Sequence, residues 1–232
     1  MQQVAFTVLV VDDEPAIVEL LRDFLEAEDF RVETARDGGE ALAALAHGSV
    51  DCVLLDVMMP DLSGFDVCRR IREASDVPLL FLSARDGDSD KIRGLGLGGD
   101  DYIVKSATPG EVVARVKAVL RRSRRVAVSS PLTLLDFGQL VLDVRAHEVR
   151  VEGKPVSFTA REFELLTFLA EHPRQVFTRE QLFARFWGEI GDRHTVTVHI
   201  GRIRDKIEAN AEEPRYIVTV WGVGYRFEGV RR

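Results

Sequence analysis

The sequence contains a short apolar run, residues 52–55, that ends abruptly at Asp56 and is closed by Pro60. A run this short and this apolar predicts a strand that is buried on both faces. A carboxylate is costly to place at such an end, so we expect Asp56 to be there for chemistry. In open parallel sheets, ligands bind just beyond the carboxyl ends of the strands. Asp56 is therefore the first candidate site residue.

Four more strand-like runs, near residues 7–11, 31–35, 77–82 and 102–104, alternate with amphipathic helical segments. Five strands alternating with five helices predict an α/β doubly wound, five-stranded parallel sheet. Polar residues follow four of these strands: Asp12 and Asp13, Asp56, Ser83, and Lys105. Because the carboxyl ends of parallel strands meet at one edge of the sheet, we expect these residues to converge on one crevice.

The three carboxylates of this crevice repel each other and should attract a hard cation, for which Mg²⁺ is the natural choice. Lys105 would balance an incoming phosphoryl group, and the Ser83 hydroxyl could bond one of its oxygens. Asp56 would be the nucleophile that forms an aspartyl phosphate. Alone, each residue is better explained as a turn former, a helix cap or a solvated charge. Their joint occurrence at four strand ends favours the chemical interpretation.

The length of 232 residues predicts two domains, and the composition, 46% hydrophobic and 30% charged, is that of an ordinary soluble protein. We find neither a signal peptide nor an apolar run near about 18 residues, so we expect a cytoplasmic protein without membrane association. Cys52 and Cys68 have no metal or redox spacing and are expected to be buried thiols. The net charge of −7 lies entirely in residues 1–125, so residues 126–232 are relatively basic.

The second half predicts an α+β domain of a different kind. Residues 132–158 alternate like a small antiparallel sheet, and capping boxes at Thr159 and Thr178 each begin a helix. A third helix spans about residues 194–208, and residues 216–227 form a hairpin, hereafter the wing. Helix, turn, helix and hairpin is the order of a winged-helix domain, whose third helix enters a DNA major groove. We expect a first domain at 1–122, a linker at 123–131 and a winged-helix domain at 132–232.

The third helix carries one apolar stripe that must face the core, made by Val196, Ile200, Ile203 and Ile207. At 100° per residue the opposite face carries Val198, Gly201, Arg202 and Asp205, with Thr195, His199 and Lys206 on one flank and Arg204 on the other. We expect Arg202 to read bases and Val198 to touch a thymine methyl. Thr195, Arg204 and Lys206 are expected at phosphates, and His199 at a phosphate or in packing.

The first domain resembles the receiver domain of bacterial response regulators over residues 5–122. The matching positions are Asp12-Asp13, Asp56 with Met59-Pro60 and Gly64, Ser83-Ala84, residues 98–102 and Lys105. The resemblance implies phosphoryl transfer from a sensor histidine kinase to Asp56, with Mg²⁺ bound by Asp12, Asp13 and Asp56. Ser83 and Tyr102 would form the switch pair, and the chain would not be an enzyme beyond its own phosphorylation and dephosphorylation.

Residues 158–228 resemble the DNA-binding effector domain of OmpR/PhoB-type regulators. The similarity rests on residues 159–163, 178–182, 187–188, 195–196, 198–200 and 202–204 and on the Gly-Val-Gly-Tyr-Arg-Phe run of residues 222–227. It implies a promoter-binding transcription factor, with RNA polymerase as a further partner. It also implies a phosphorylation-dependent homodimer through the fourth helix, fifth strand and fifth helix, at Lys91, Ile92, Leu95, Asp100, Asp101, Glu111, Ala114 and Arg115.

The chain departs from these families at several positions. Ser106 replaces the usual proline after Lys105, and a cis bond without proline costs about 2.5 to 4 kcal/mol, which favours a trans loop and a different position for Lys105. Gly96 lacks an acidic group that would meet Arg122, so we expect a weaker dimer. In the third helix His194 replaces Arg. Gly201 removes a side chain from the outward face, so we expect fewer contacts to bases. Trp221 replaces an Arg of the wing that reads the minor groove in some relatives, and is expected to pack or to stack against sugar.

Two other interpretations remain open. A Mg²⁺-dependent phosphohydrolase would use Asp56 as its nucleophile, but it would normally carry a second acid where Met58 stands. A protein-binding adaptor with a winged helix that no longer binds DNA would suit the neutral second half. The leading prediction is a DNA-binding transcriptional response regulator switched by phosphorylation of Asp56.

Overall fold

The computed structural model describes residues 6–123, 134–188 and 192–232. The chain forms two compact units that divide between Leu120 and Arg121. Most of the predicted linker, residues 124–131, lies outside the described residues, so the predicted domain boundaries stay predictions. Within the described ranges, no helix is both long enough and apolar enough to cross a lipid bilayer.

The first domain is a five-stranded parallel sheet between helices. Its elements in chain order are β1 (Thr7–Val11), α1 (Pro15–Glu26), β2 (Arg31–Ala35), α2 (Gly38–His47), β3 (Cys52–Asp56), α3 (Gly64–Ala74), β4 (Leu79–Ser83), α4 (Asp88–Gly96), β5 (Asp101–Val104) and α5 (Pro109–Ser123). The strand order is β2-β1-β3-β4-β5, and every neighbouring pair is parallel. The predicted doubly wound sheet is confirmed.

Burial explains why the inner strands are so apolar. Every residue of β1, β3 and β4 is buried, whereas β2, at the edge of the sheet, is largely exposed. The chain runs from β1 outward to β2 and then returns to β3 on the other side of β1, so the strand order reverses between β1 and β3. A crevice opens where such a reversal occurs, and here Asp12 and Asp56 lie at its mouth.

The second domain begins with a four-stranded antiparallel sheet and continues with three helices and a second small sheet. Its elements are β6 (Leu134–Asp136), β7 (Leu140–Asp143), β8 (Glu148–Val151), β9 (Lys154–Val156), α6 (Ala160–Glu171), β10 (Val176–Thr178), α7 (Arg179–Phe186), α8 (His194–Ile207), β11 (Ile217–Val220) and β12 (Gly224–Phe227). Both predicted capping boxes are present, at Thr159 and at Thr178. The winged-helix order is confirmed.

One strand of the second domain was not predicted. β10 pairs with β12, so the wing belongs to a three-stranded sheet in the order β10-β12-β11. Gly224 permits the close approach, because a Cβ at this position would lie 2.0 Å from the carbonyl oxygen of Phe177. The segment is only three residues long, too short to show a strand period.

Candidate functional sites

Three carboxylates meet at the carboxyl edge of the parallel sheet, as predicted. Asp12 follows β1 and Asp56 ends β3, and each side chain is 1% exposed, whereas Asp13 is exposed. One carboxylate oxygen from each of the three lies within 4.8 Å of the others. Oxygen donors this close suit a hard divalent cation.

The backbone around Asp56 fixes the direction of its carboxylate. The backbone N–H of Met58 donates to Asp56 Oδ1 over 3.0 Å, and the N–H of Gly64 donates to the carbonyl of Val57 over 3.1 Å. A Cβ on Gly64 would lie only 2.0 Å from the backbone oxygen of Asp56, so α3 begins directly against the end of β3. Only glycine allows this approach.

Lys105 joins the buried acids. Its Nζ lies 2.9 Å from Asp12 Oδ2, 3.0 Å from Asp56 Oδ2 and 2.9 Å from Glu14 Oε1. Burial alone would lower the pKa of Lys105, but hydrogen bonds to these three carboxylates raise it above its ordinary value. Burial also raises the pKa of Asp12, against the hydrogen bonds from Lys105 and from the Glu14 backbone. The partnership with Glu14 was not predicted, although an acid just before Pro15 at the start of α1 was a signal for it.

Ser83 and Tyr102 lie together beside this cluster. Ser83 is fully buried, and its Oγ accepts the backbone N–H of Arg85 over 3.1 Å. The Tyr102 hydroxyl donates to the carbonyl of Arg85 over 3.0 Å, and the side chain is only 5% exposed. Burial raises the pKa of Tyr102, partly offset by its hydrogen bond with Ser83. One loop residue, Arg85, therefore connects the predicted switch pair.

The acidic cluster opens into a cleft of about 440 Å³. Its lining combines one acid with apolar side chains and two arginines: Asp13, Val57, Met58, Met59, Pro60, Ser63, Phe65, Arg85 and Arg93. Asp13 is the member of the acidic cluster among these lining residues, and the cleft lies along the β3–α3 loop.

In the second domain, α8 presents its predicted apolar stripe to the core. Val196, Ile200, Ile203 and Ile207 are all buried. Two residues predicted to contact DNA are buried as well, since Thr195 is 3% exposed and His199 is 0% exposed. The His199 ring lies 5.1 Å from the ring of Trp187, because this flank of α8 faces the end of α7. Both side chains are packed inside the domain, as the packing alternative for His199 expects, and the phosphate contact of Thr195 stays a prediction.

Two cations of α8 lie beside one buried carboxylate. Glu162 of the first capping box is 0% exposed, and its Oε1 lies 2.8 Å from an Arg202 guanidinium nitrogen. Its Oε2 lies 2.5 Å from Lys206 Nζ and 3.0 Å from the backbone nitrogen of Thr159. The predicted base-reading residue is thus held against α6, and its guanidinium side chain is only 16% exposed.

Arg204 connects α8 to the wing. Its Nε donates to the carbonyl of Ile217 over 2.9 Å, and its Nη2 donates to Thr219 Oγ1 over 2.9 Å. Burial lowers the pKa of Arg204. The guanidinium therefore joins α8 to β11, and the phosphate contact expected of Arg204 stays a prediction. Val198 is half-buried on the outward side, where it was predicted.

Comparisons with known proteins agree with both halves of this structure. Residues 8–117 match the response regulator receiver domain family, and residues 153–227 match the C-terminal domain family of transcriptional regulatory proteins. The transcriptional regulatory protein ResD of Bacillus subtilis is 43% identical over 95% of this chain and 95% of its own length. The chain is a response regulator of the OmpR/PhoB type.

Two further relatives support the same assignment. The DNA-binding response regulator MtrA of Mycolicibacterium smegmatis is 43% identical over 94% of this chain and 95% of its own. The crystal structure of DrrB, described as a Thermotoga maritima OmpR/PhoB homolog, matches with 36% identity and a TM-score of 0.53, covering 97% of this chain and all of the other. This family consists of regulators and not of classical enzymes, and its DNA-binding members argue against the adaptor interpretation.

The Lys105-Ser106 bond departs from the family pattern without removing Lys105 from the site. No peptide bond among the described residues is cis. The backbone N–H of Lys105 donates to the carbonyl of Ser83 over 2.7 Å, which aligns the loop with the end of β4. The ammonium group lies 3.0 Å from Asp56, so the Lys105-Ser106 loop keeps Lys105 in contact with this carboxylate.

The predicted dimer face of this response regulator is only partly exposed. Leu95 and Asp100 are each 1% exposed, and the Asp100 carboxylate bonds Arg72 over 3.1 Å within the receiver. These two side chains are buried within the receiver, and their part in the predicted dimer face stays a prediction. Asp101 and Arg115 are paired over 2.8 Å, and Arg115 also contacts Glu111. Ile92 and Ala114 are exposed, and Lys91 is half-buried near Asp88.

The tip of the wing is apolar in this response regulator. Trp221 is 89% exposed and Val223 is 49% exposed, on either side of Gly222, which has a φ of +74°. The indole does not pack against the domain, which corrects one of the two expectations for it.

Proposed function

We propose that Asp56 accepts a phosphoryl group from the phosphohistidine of a sensor histidine kinase. The observation that carries this proposal is the contact of Lys105 Nζ with Asp56 Oδ2, beside two more acids within 4.8 Å. An oxygen of Asp56 forms the new P–O bond while the P–N bond breaks and its electron pair returns to the imidazole. Lys105 holds one phosphoryl oxygen, and Ser83 donates to another.

The donor set of the crevice fits Mg²⁺. Asp12 and Asp56 are buried, and burial raises the pKa of Asp12 despite its hydrogen bond from Lys105. Asp12, Asp13 and Asp56 would hold the ion, which would neutralise charge on the phosphoryl oxygens.

Labelling of the full chain tests the receiver proposal. Acetyl phosphate with Mg²⁺ should phosphorylate the wild-type chain and the control variant Asp76→Asn, which alters an exposed loop acid. Asp56→Asn should not be labelled. Equal labelling of Asp56→Asn, or no labelling of the wild type with acetyl phosphate or a histidine kinase, would contradict the proposal.

We propose further that α8 binds in the major groove of promoter DNA and that Arg202 leaves Glu162 to read a base. Support comes from the half-buried position of Val198 on the side of α8 away from its apolar stripe and from Arg202 and Lys206, two cations of α8 that share one carboxylate. Phosphorylation would promote a homodimer through α4, β5 and α5, and RNA polymerase would be the further partner in the cytoplasm.

A selection of genomic fragments, with and without acetyl phosphate, tests the output. A sequence should be enriched by the wild-type chain and by Arg145→Ala, which removes an exposed arginine between β7 and β8. Arg202→Ala should lose about 1 to 3 kcal/mol of discrimination at one base pair. The absence of any enriched, Arg202-dependent sequence would contradict the DNA-binding proposal.

A further inference from the structure

Glu162 brings a buried acid to a helix cap that does not need one. The second capping box, at Thr178, has Gln181 at the corresponding position, and Gln181 Oε1 accepts the Thr178 backbone N–H over 2.9 Å. Glu162 accepts the Thr159 N–H over 3.0 Å in the same way, although its side chain is 0% exposed. A neutral amide therefore completes this kind of cap, whereas a buried carboxylate is costly unless cations pair with it. The charge of Glu162 serves its contacts with the two cations of α8.

The two cations are not equally placed to contact bases. A recognition helix reads bases mainly with its N-terminal residues. Arg202 lies four positions after Val198, so the two side chains share one side of α8. Lys206 lies in the last turn, where the helix dipole favours a cation. Arg202 is therefore the cation that we expect to leave Glu162 when DNA binds.

Lys206 has contacts that do not depend on Arg202. Its Nζ lies 2.5 Å from Glu162 Oε2, the oxygen that also accepts the Thr159 N–H, whereas Arg202 lies 2.8 Å from Oε1. The same ammonium group lies 4.9 Å from the centre of the Phe158 ring, which is a cation–π contact. Glu162 therefore keeps one cation and one N–H donor when its Oε1 loses Arg202.

We propose that Lys206 is a positioning residue for base recognition, because it stays on Glu162 and so allows Arg202 to leave that carboxylate for a base. Removing one partner of a buried ion pair is strongly unfavourable, since the other charge is left uncompensated. With Lys206 present, the departure of Arg202 leaves Glu162 paired. Without Lys206, Arg202 is the remaining one of the two cations and stays bound. The inference rests on the proposed base reading by Arg202, and it gives Lys206 a contact within the protein in place of a DNA phosphate.

Discrimination at a single base pair tests this proposal in the full chain. The probes are the duplex enriched in the genomic selection and the same duplex with the Arg202-dependent base pair replaced. The ratio of their dissociation constants cancels any effect that changes binding to both duplexes equally, such as the loss of a phosphate contact or of folded protein. For the wild-type chain we expect a ratio of roughly 5 to 150, which corresponds to about 1 to 3 kcal/mol for one bidentate base contact.

Variants of the two partners should change this ratio in a defined pattern. Lys206→Met should reduce it to the value of Arg202→Ala, close to 1, whereas Lys206→Arg keeps the positive charge and should retain discrimination. The double variant Lys206→Met/Glu162→Gln should restore the ratio, since a neutral amide needs no cation, and Glu162→Gln alone should not reduce it. Lys154→Met makes the same chemical change at an exposed lysine of β9 and should leave the ratio at the wild-type value.

Three results would overturn the inference and leave DNA binding intact. If Lys206→Met weakens both duplexes equally, Lys206 contacts a phosphate or only supports the fold. If the ratio falls and Glu162→Gln does not restore it, Lys206 acts through another group. If Glu162→Gln alone reduces the ratio to that of Arg202→Ala, the carboxylate orients Arg202 on the base instead of releasing it.

Failure of the proposed function has a different signature. In that case the wild-type chain enriches no sequence, or Arg202→Ala discriminates as well as the wild type at every base pair. Either result removes the base contact that Lys206 is proposed to support, so the inference fails together with the proposed function.

Discussion

Gly64→Ala tests how tightly the phosphoacceptor loop is built. The added Cβ would lie 2.0 Å from the backbone oxygen of Asp56 and 2.9 Å from the Cα of Val57. Both neighbours are backbone atoms, so no rotation of a side chain can relieve the overlap. Either the end of β3 or the start of α3 must move by more than an ångström to restore van der Waals contact.

The overlap sets the expected magnitudes. Overpacking of a well-packed site typically costs about 1 to 3 kcal/mol, and we expect Gly64→Ala at the upper end. For a domain of this size each kcal/mol lowers the melting temperature by roughly 4 to 8 °C, so the receiver should melt about 10 to 20 °C lower. A displacement near 1 Å at reacting groups can reduce a rate about 100-fold, and we expect that loss in the labelling of Asp56.

The assay can separate the two domains in the intact chain. Trp187 and Trp221 both belong to the second domain, so tryptophan fluorescence follows that domain alone. Far-ultraviolet circular dichroism follows the unfolding of both domains. A thermal transition that appears in circular dichroism and not in tryptophan fluorescence therefore belongs to the receiver. Gly64→Ala should move only that transition. Phosphorylation is then measured with acetyl phosphate and Mg²⁺ well below the midpoint.

Gly110→Ala is the matched control. It lies in the first turn of α5, and a Cβ there meets no heavy atom within 4 Å. The same chemical change should stabilise the receiver by up to about 1 kcal/mol and leave labelling intact. The steric reasoning is refuted if the unfolding free energy of the Gly64→Ala receiver is within about 0.5 kcal/mol of the wild-type value and the variant is labelled at the wild-type rate.

Three further predictions follow from buried or paired charges. Lys105→Met leaves two buried carboxylates without their cation, so the receiver should lose about 3 to 5 kcal/mol, and Mg²⁺ should restore part of it in a thermal melt; no effect of Mg²⁺ would count against the metal site. Glu162→Gln keeps the capping box but removes the negative charge that pairs with Arg202. Affinity for a random DNA duplex, measured by fluorescence anisotropy, should therefore rise roughly two- to fivefold at low salt and should not change at high salt. His147 is exposed overall, but its ring stacks on Phe163 at 3.9 Å, and this partial desolvation lowers the pKa of His147, so the neutral form favours the folded state. That contribution is present above the pKa of His147 in the unfolded chain and is lost as the pH falls through its pKa in the folded protein. In urea unfolding, His147→Gln should therefore reduce the change in unfolding free energy between pH 7 and pH 5, and an unchanged pH profile would contradict this.

The receiver site could be predicted from the sequence because topology does most of the work. Short apolar runs separated by helical segments leave one sensible sheet, and in that sheet the residues after each strand must meet. Asp12, Asp56, Ser83 and Lys105 were placed by that rule alone. Glu14 was missed because it belongs to a helix start, where an acid is usually explained as a cap or a favourable dipole charge.

The DNA-binding surface was harder to predict because a helical period gives the direction of each side chain around the helix axis but not the elements that pack against it. The helical period correctly predicted that Val196 and Ile200 are buried. It could not show that α7 and Trp187 cover the side of α8 that carries His199. Long side chains add a second difficulty, since their ends reach partners far along the chain. Arg202 lies 2.8 Å from Glu162, 40 positions earlier, and no local pattern predicts that contact.

The carboxyl edge of the receiver sheet carries more acids than cations among the described residues, which relates its structure to the proposed ligands. Around Lys105, one ammonium group faces the carboxylates of Asp12, Glu14 and Asp56. Lys105 holds these acids in place without matching their number, so a cation that arrives meets carboxylates that are already positioned. In the second domain, Glu162 likewise holds Arg202 and Lys206 of α8 in defined positions, so DNA that binds there would replace existing contacts of cations that are already ordered.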